Sequence, residues 1–347
     1  WSGRAHEGCC APSLLIDGAN GSATEWLSTF LSKQGVVCAD VSCPNDVLNE
    51  GCGAGDLSPT QTWTYDEAKR SSHALLRQLE PAKPGQLVGA ALDGDGDRCL
   101  LIQSTEHGFA VMDGDAMAAL MLSAVNHRPW SFAASIESDI GLFGHARSSN
   151  GSTGCIETAV GDRWLSYALR PEDNGWLHAD EMPLICGIED SGHVVLPAPH
   201  PLHEGAWSLV GDGAATLCAV LLAANRGAKA PFHRGWKQRI SIKDSHRERW
   251  TAESKLFTTT QRTIVEAMEA MGFTAQRRRI DGEDHLLLIH GTSPNGVASF
   301  GVRNSGTQAK TSVSVRLSKD LAHEPFVALL NQIKSTLTEA LTDLTHP

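Results

Sequence analysis

Short apolar segments alternate with amphipathic segments along the first two thirds of the sequence. SLLID at 13–17 predicts a strand, and the stretch ATEWLSTFLSKQG predicts a helix that ends at Gly35. A strand VVCADV, a helix over YDEAKRSSHALLRQLE at 65–80 and a strand LVGAALD at 87–93 continue the pattern. Such alternation is typical of βαβ units, so we expect an α/β fold built on mixed, largely parallel sheets.

The sequence changes character after the segment RGAKAPFHRG at 226–235, whose small, basic and proline-containing composition is typical of a linker. Hairpin-like strands and two helices follow it, which predicts an α+β domain. A chain of 347 residues is long enough for two or three domains. We expect two related α/β/α units and a C-terminal α+β domain, at 1–112, 113–230 and 234–347, although no internal sequence repeat is evident.

The composition argues against several classes of protein. The 29 basic and 40 acidic residues give a formal net charge of -11, which disfavours nucleic acid or an anionic membrane as a partner. Nine irregularly spaced cysteines without a CxxC pair indicate reduced thiols rather than a disulfide framework or a zinc site. No apolar stretch reaches the roughly 18 residues of a membrane span. We expect a cytoplasmic metabolic protein, and Trp1 in place of methionine indicates a processed, trimmed or incomplete chain.

The segment ALDGDGDRCLLI at 91–102 concentrates acidic side chains at the carboxyl end of a predicted strand, where open α/β sheets place their ligands. Asp93, Asp95 and Asp97 alternate with single glycines, which let the backbone curl. Three such carboxylates can converge on one hard cation. A solvated turn rich in aspartate and glycine is the alternative interpretation.

An EF-hand is excluded at this turn. That loop requires glycine at its sixth position and glutamate at its twelfth, where this sequence has Arg98 and Ser104. Arg98 beside a cation instead suits a phosphate ligand, because a guanidinium binds two phosphate oxygens at once.

The segment GIEDSGH at 187–193 follows a second predicted strand. Glu189, Ser191 and His193 occupy alternate positions, so all three can face one side and hydrogen-bond the neighbouring hydroxyl groups of a sugar. An ordinary strand-to-loop turn with its polar residues in water is the alternative.

The segment GVRNSGTQAK at 301–310 lies between two strands of the last predicted domain. Ser305, Gly306 and Thr307 can offer backbone N–H and hydroxyl donors to an anion, and Arg303 and Lys310 flank them. The segment therefore predicts a phosphate site, and a hairpin loop with incidental cations is the alternative.

The segment TAVGDRW at 158–164 opens a predicted helix, with Asp162 at its start and Arg163 next to it. Considered alone, Asp162 is interpreted as an N-cap whose side chain accepts from the first helical N–H groups.

Considered in order, the four motifs DGDGDR, TAVGDR, GIEDSGH and RNSGT resemble the metal loop, hinge-side loop, sugar loop and phosphate loop of the α-D-phosphohexomutase superfamily. DGAN at 17–20 and GDG at 211–213 are also similar to that family, and the resemblance covers essentially the whole chain. It implies three related α/β domains and a C-terminal α+β domain around one active-site cleft. This chain is expected to begin at the second of those four domains.

The resemblance implies a mutase, an isomerase in which a phosphoserine passes its phosphoryl group to a hexose or aminohexose phosphate through a bisphosphate intermediate. VLNEGCGAGD at 47–56 resembles the N-x-x-C-G turn of the phosphoglucosamine and phosphoacetylglucosamine mutase branches, which favours an amino sugar. The implied site residues are a Mg²⁺ site of Asp93, Asp95 and Asp97, a catalytic Arg98, a substrate site of Glu189, Ser191, His193 and Arg163, and a phosphate site of Arg303, Ser305, Gly306, Thr307 and Lys310.

The sequence departs from the family pattern in two places. No motif like TASHNP is present, so the nucleophilic phosphoserine is not among these residues. The phosphate loop has Gln308 and Ala309 where the family has Glu-Pro, and Ser312 where it has a second arginine, for which Lys310 is the candidate substitute. Two hypotheses remain. In the first, the protein is a mutase whose first domain lies outside this chain, and the chain alone is inactive. In the second, it is a non-catalytic protein that binds metal and phosphosugar. The sequence gives no oligomeric state.

Overall fold

A computed structural model describes residues 10–42, 46–125, 128–150, 154–171, 177–227, 233–306 and 308–342. The chain divides into two compact units. Unit 1 draws on Trp1–Ser138, Ala146–Ile156 and Val160–Pro231, and unit 2 on Asp139–His145, Glu157–Ala159 and Phe232–Pro347. The expected boundary between residues 112 and 113 lies inside unit 1, and the division into three domains stays a prediction.

The first sheet has six strands in the order β2-β1-β4-β5-β6-β3. Strand β1 is parallel to β2 and β4, and the other neighbours are antiparallel. Its elements are β1 (Cys10–Asp17), α1 (Trp26–Lys33), β2 (Cys38–Asp40), β3 (Thr62–Thr64), α2 (Tyr65–Lys69), α3 (Ala74–Gln78), β4 (Leu87–Leu92), β5 (Cys99–Ser104) and β6 (Gly108–Met112).

The helix expected over residues 65–80 is interrupted, and forms α2 and α3 instead. Thr64 and Glu67 make a reciprocal capping box that starts α2. Ser71 Oγ then accepts a hydrogen bond from the backbone N–H of His73 at 3.1 Å. Such a local bond offers the backbone an alternative to the helix, which explains the break.

The second sheet has the order β8-β7-β10-β11-β12-β9. Strand β10 is parallel to β7, and β11, β12 and β9 follow in antiparallel pairs. The elements are α4 (Gly114–Ala124), β7 (Ser131–Ser135), α5 (Ile140–Asn150), β8 (Gly154–Thr158), α6 (Asp162–Leu169), β9 (Leu177–His178), β10 (Ile185–Ile188), β11 (Val194–Pro199), β12 (Ala206–Gly211) and α7 (Gly213–Asn225).

The two sheets repeat one topology. When the strands of the second sheet are renumbered from its own first strand, the order 2-1-4-5-6-3 results, which is the order of the first sheet. The acidic turn connects β4 to β5, and the GIEDSGH turn connects β10 to β11, so the two motifs occupy equivalent hairpins. Asp113 and Asp212 likewise cap equivalent helices, α4 and α7.

The third sheet is wholly antiparallel, in the order β13-β17-β16-β15-β14. Its apolar core includes the fully buried Trp250, Phe257 and Phe300, together with residues from both helices. The elements are β13 (Trp236–Lys243), a 3₁₀ turn at Arg247–Arg249, α8 (Lys255–Ala270), β14 (Thr274–Arg278), β15 (Leu287–Ser293), β16 (Gly296–Asn304), β17 (Lys310–Leu317) and α9 (Glu324–Thr342).

The architecture confirms the expected α/β fold with mixed sheets and a C-terminal α+β part. Parallel pairing occurs between β1 and its two neighbours and between β7 and β10, while the short turns after β4 and β10 return the chain antiparallel. Among the described residues, no helix is both long enough and apolar enough to cross a bilayer.

Candidate functional site

The acidic turn of unit 1 brings its three carboxylates together. One oxygen from each of Asp93, Asp95 and Asp97 lies within 4.8 Å of the other two. Asp93 is buried and Asp95 is exposed. Asp97 Oδ1 is buried without a hydrogen-bond partner among the described residues. Three carboxylates with one unpartnered buried oxygen fit a hard divalent cation, whose preferred ligands are oxygens.

Arg98 binds the first of these carboxylates. Its Nε donates to Asp93 Oδ2 at 2.6 Å, and its backbone N–H donates to Asp93 Oδ1 at 3.1 Å. Burial would raise the pKa of Asp93, but the hydrogen bonds and positive charge of Arg98 hold that pKa below its usual value. Asp93 is therefore ionised at neutral pH, and the expected catalytic guanidinium is fixed beside the acidic turn.

Backbone contacts join the acidic turn to the GIEDSGH turn. Cys99 donates its N–H to Gly192 O at 3.0 Å, and Arg98 and His193 form an isolated antiparallel bridge. Gly192 has a φ of 93°, and a Cβ on it would lie 2.3 Å from Cys99 O. Only glycine permits this approach without displacing the strand.

The start of α7 packs against the same turn. Gly213 donates its N–H to Gly96 O at 2.8 Å, and a Cβ on Gly213 would lie 2.5 Å from Arg98 O. The GDG motif at 211–213 thus serves as a close backbone contact, with Asp212 capping the helix by accepting from Ala215 N at 2.9 Å.

The three residues expected to bind a sugar are brought together around Glu189. Ser191 Oγ donates to Glu189 Oε2 at 3.3 Å, and His193 Nδ1 lies 3.3 Å from the same oxygen. His193 Nε2 lies 2.7 Å from Asp97 Oδ2, as a close ion pair. Burial lowers the pKa of His193, but the carboxylates of Glu189 and Asp97 outweigh it and raise that pKa to about 9.

The TAVGDRW segment contacts Glu189, one of the residues expected to bind a sugar, through its backbone. Gly161 donates its N–H to Glu189 Oε1 at 2.5 Å. Gly161 is also the residue that precedes α6, so the interpretation of Asp162 as the N-cap is wrong; Asp162 is the first helical residue and accepts from Arg163 N at 2.7 Å. Arg163 is exposed and lies over the ring of Trp164, 5.0 Å from its centre.

The segments DGAN and VLNEGCGAGD lie beside the acidic turn. Asp17 accepts from Gly53 N at 2.8 Å, and Ala19 O accepts from Asn49 N at 3.1 Å. Two residues after DGAN, Ser22 donates its N–H to Gly94 O at 2.8 Å. DGAN therefore connects the N-x-x-C-G turn to the acidic turn.

The phosphate loop in unit 2 is a closed hairpin loop. Ser305 donates its N–H to Lys310 O at 2.8 Å. Arg303 Nη1 donates to Glu283 Oε1 at 3.1 Å, so the guanidinium expected to bind phosphate is paired with a carboxylate here. Among the described residues, no atom would lie within 4 Å of a Cβ on Gly306. Thr307, which belongs to the expected phosphate site, lies outside the described residues.

Two contacts at this loop are not indicated by any motif in the sequence. Arg247 Nη1 donates to Ser305 O, and Asn304 Nδ2 donates to Arg247 O at 2.9 Å. Arg247 and Glu283 lie in loops far from the RNSGT motif in the sequence, and only the pairing of strands brings them to it.

Comparison with protein families and curated proteins gives the following similarities. No family model matches the chain. It is 30% identical over 200 residues to a phosphoglucosamine mutase of Rhodococcus erythropolis. These matched residues make up 56% of this chain and 38% of the relative. It is 32% identical over 198 residues to a phosphoglucosamine mutase of Kineococcus radiotolerans, 55% of this chain and 37% of the relative. The matched region thus spans under two fifths of these relatives' length.

Solved structures share the fold. One is a crystal structure of N-acetylglucosamine-phosphate mutase in its substrate complex, described as a member of the alpha-D-phosphohexomutase superfamily. The TM-score is 0.61 and the sequence identity is 15%. The match covers 95% of this chain and 62% of the chain in that structure. The phosphoglucomutase pp63/parafusin from Paramecium, in an open form, has a TM-score of 0.56 at 18% identity, over 94% and 57%. The chain therefore shares the fold of these solved structures, and part of its sequence is similar to phosphoglucosamine mutases.

Proposed function

We propose that the chain is the metal-, sugar- and phosphate-binding part of a phosphohexomutase, an isomerase acting on hexose or aminohexose phosphates. The observation that carries the proposal is the joining of the acidic turn to the GIEDSGH turn through the Cys99–Gly192 hydrogen bond and the Asp97–His193 ion pair. A cation site and a set of hydroxyl-binding groups then face one substrate. The phosphoglucosamine mutases among the relatives, and the N-x-x-C-G turn beside the acidic turn, favour an amino sugar.

Asp93, Asp95 and Asp97 would hold Mg²⁺, and the unpartnered Asp97 Oδ1 supports this assignment. When bound, the cation supplies positive charge that offsets the charge of the transferring phosphoryl group. Arg98 is the protein's own contribution there. Among the described residues its Nε is bound by Asp93, which leaves the Nη donors to bind phosphoryl oxygens and stabilise the charge of the transferring group.

Glu189, Ser191 and His193 would orient the sugar by hydrogen bonds to its hydroxyl groups, with Arg163 adding a contact from the start of α6. Glu189 is held by Gly161 N and Ser191 Oγ, which fixes the carboxylate before the sugar arrives. Arg303, Ser305, Gly306, Thr307 and Lys310 would bind the substrate phosphate. Arg303 exchanges its partner Glu283 for that phosphate.

The phosphoryl carrier is the part of the reaction that these residues do not supply. The family resemblance implies a phosphoserine in a motif like TASHNP, and the sequence contains no such motif. We therefore propose that the chain by itself binds hexose phosphates without interconverting them, because transfer requires a nucleophile or carrier. The partner is a phosphosugar rather than nucleic acid or a membrane, and the proposed location is the cytoplasm.

The experiment is a calorimetric titration of the chain with glucosamine 6-phosphate, glucose 6-phosphate and mannose 6-phosphate in Mg²⁺, beside a coupled assay for their 1-phosphates. We expect one binding site and no turnover above background. Turnover well above background contradicts the assignment of the carrier to another segment. The absence of binding to any of the three sugars contradicts the function itself.

A second candidate function is a non-catalytic protein that binds metal and phosphosugar through the same acidic and GIEDSGH turns. Adding glucose 1,6-bisphosphate together with a phosphorylated phosphoserine domain of a relative separates the two. Turnover restored by that domain supports the mutase, whereas binding without any restored turnover favours the second candidate.

A further inference from the structure

We infer that Arg247 supplies a second guanidinium to the phosphate-binding loop, in place of the arginine that this loop lacks. The inference rests on the proposed function, since it concerns the phosphate of that substrate. It assigns a binding role to a residue of the 3₁₀ turn after β13, outside the RNSGT motif.

The loop has one strand-borne arginine and no second one opposite it. Strand register pairs Arg303 with Ser312. Ser312 is buried, and its hydroxyl lies 3.4 Å from Ser241 Oγ on the neighbouring strand. A short, buried hydroxyl cannot replace a guanidinium, because it carries no charge and does not reach out of the sheet.

Arg247 contacts the loop from the 3₁₀ turn after β13. Its Nη1 donates to Ser305 O, the carbonyl of the residue whose hydroxyl is expected to bind phosphate. This contact fixes the guanidinium at the loop itself. The side chain is partly buried, so its position costs less entropy to hold than that of an exposed arginine.

The turn that carries Arg247 is bound to the loop by separate contacts. Asn304 Nδ2 donates to Arg247 O at 2.9 Å and to Trp250 O at 3.2 Å. Asn304 Oδ1 accepts from Thr311 Oγ1 at 2.9 Å, and Ser245 donates its N–H to Ala309 O at 3.3 Å. Both ends of the loop are thereby tied to the segment around Arg247, which preorganises the guanidinium for a ligand.

Arg247 also has donors to spare. In the described part of the chain, the bond from Nη1 to Ser305 O is its one side-chain hydrogen bond, and it forms no ion pair there. A guanidinium has five N–H donors, so four are left for phosphate oxygens. Arg303 differs, because Glu283 binds it.

The test is titration of the chain with glucosamine 6-phosphate in a buffer containing EDTA, so that no cation contributes to phosphate binding. Arg247→Gln keeps an N–H donor for Ser305 O but removes the charge and the second pair of donors. We expect it to weaken affinity about tenfold or more, and we expect a similar loss in Arg303→Gln. The slope of affinity against salt concentration should also decrease, which a purely structural role would not cause.

Arg249→Gln is the matched control. Arg249 belongs to the same 3₁₀ turn, but its Nη1 donates to Ala340 O on α9. We expect this variant to bind within about twofold of the wild type. If Arg247→Gln binds like Arg249→Gln while Arg303→Gln is weakened, the inference is wrong and the proposed function stands. If the wild type binds no hexose phosphate, both are wrong.

Arg247→Lys keeps the positive charge but carries its N–H donors on a single nitrogen. This variant covers the case in which Arg247→Gln melts at a lower temperature than Arg249→Gln. Its affinity is expected between those of the wild type and Arg247→Gln, because an ammonium cannot bind two oxygens in a planar fork. Wild-type affinity in Arg247→Lys would overturn the requirement for a guanidinium.

Discussion

His193 Nε2 lies 2.7 Å from Asp97 Oδ2, so one imidazole joins the GIEDSGH turn to the acidic turn. The same ring contacts Glu189 through Nδ1 at 3.3 Å. A residue expected to bind sugar and a residue expected to bind a cation are thus neighbours within unit 1. This relationship links the metal and sugar parts of the proposed site.

Asp95→Asn is expected to abolish the cation site. It replaces one of three converging carboxylates by a neutral amide, and hard divalent cations depend strongly on ligand charge. Calorimetric titration with Mg²⁺ or Mn²⁺ should show one site in the wild type and none in the variant. Glu106→Gln, at a highly exposed residue, is the control and should bind as the wild type does. Unchanged binding in Asp95→Asn would refute the metal assignment.

Gly192→Ala is expected to destabilise unit 1 by about 2–4 kcal/mol, since it combines a left-handed backbone with a steric overlap against Cys99 O. Gly205→Ala provides the comparison, because Gly205 also has a positive φ, of 73°, but no atom within 4 Å of its Cβ position. That variant should lose only about 1 kcal/mol. Urea unfolding measures the free energy of unfolding of both variants. Equal losses of that free energy would mean that Gly192 does not lie in close contact with Cys99 O.

His290 is expected to make unit 2 less stable in mild acid. Burial, aided by the charges of Arg278 and Arg316, lowers the pKa of His290 below its usual value. The unfolded chain then binds more protons than the folded one, so this stability is present above the unfolded-state pKa and is lost as the pH falls.

Urea unfolding at pH 7.5 and pH 5 checks the effect of His290. The loss of stability on acidification should be smaller in His290→Gln than in the wild type. His107→Gln, at a side chain that is 90% exposed, should behave as the wild type does. Identical losses in all three proteins would contradict the expected protonation.

The sequence predicted the element types because their signals are local. The apolar runs of β1 and β4 each depend only on neighbouring residues, whereas part of the predicted linker at 226–235 lies outside the described residues. The repeated strand order of the two sheets was not visible as a sequence repeat, because strand order depends on pairing between segments that are distant in the sequence. The break between α2 and α3 depends on a single side-chain bond, from His73 N to Ser71 Oγ, that competes with the helix.

The site was predictable where its residues are close in sequence. Asp93, Asp95 and Asp97 come together within one turn, as do Glu189, Ser191 and His193. The contacts between motifs were not predictable. Gly161 N binds Glu189 across 28 positions, and Arg247 reaches Ser305 across 58, through pairing of strands that no short pattern encodes.

The most direct test of the proposed function compares Glu189→Gln with the wild type in binding glucosamine 6-phosphate in the presence of Mg²⁺. Glu189 accepts from Gly161 N and Ser191 Oγ and faces His193, so its charge organises the sugar-binding residues. We expect the wild type to bind glucosamine 6-phosphate at one site. In Glu189→Gln this affinity should be at least about tenfold weaker, while Mg²⁺ binding is retained. A wild-type chain that binds Mg²⁺ but no hexose phosphate would contradict the proposed function.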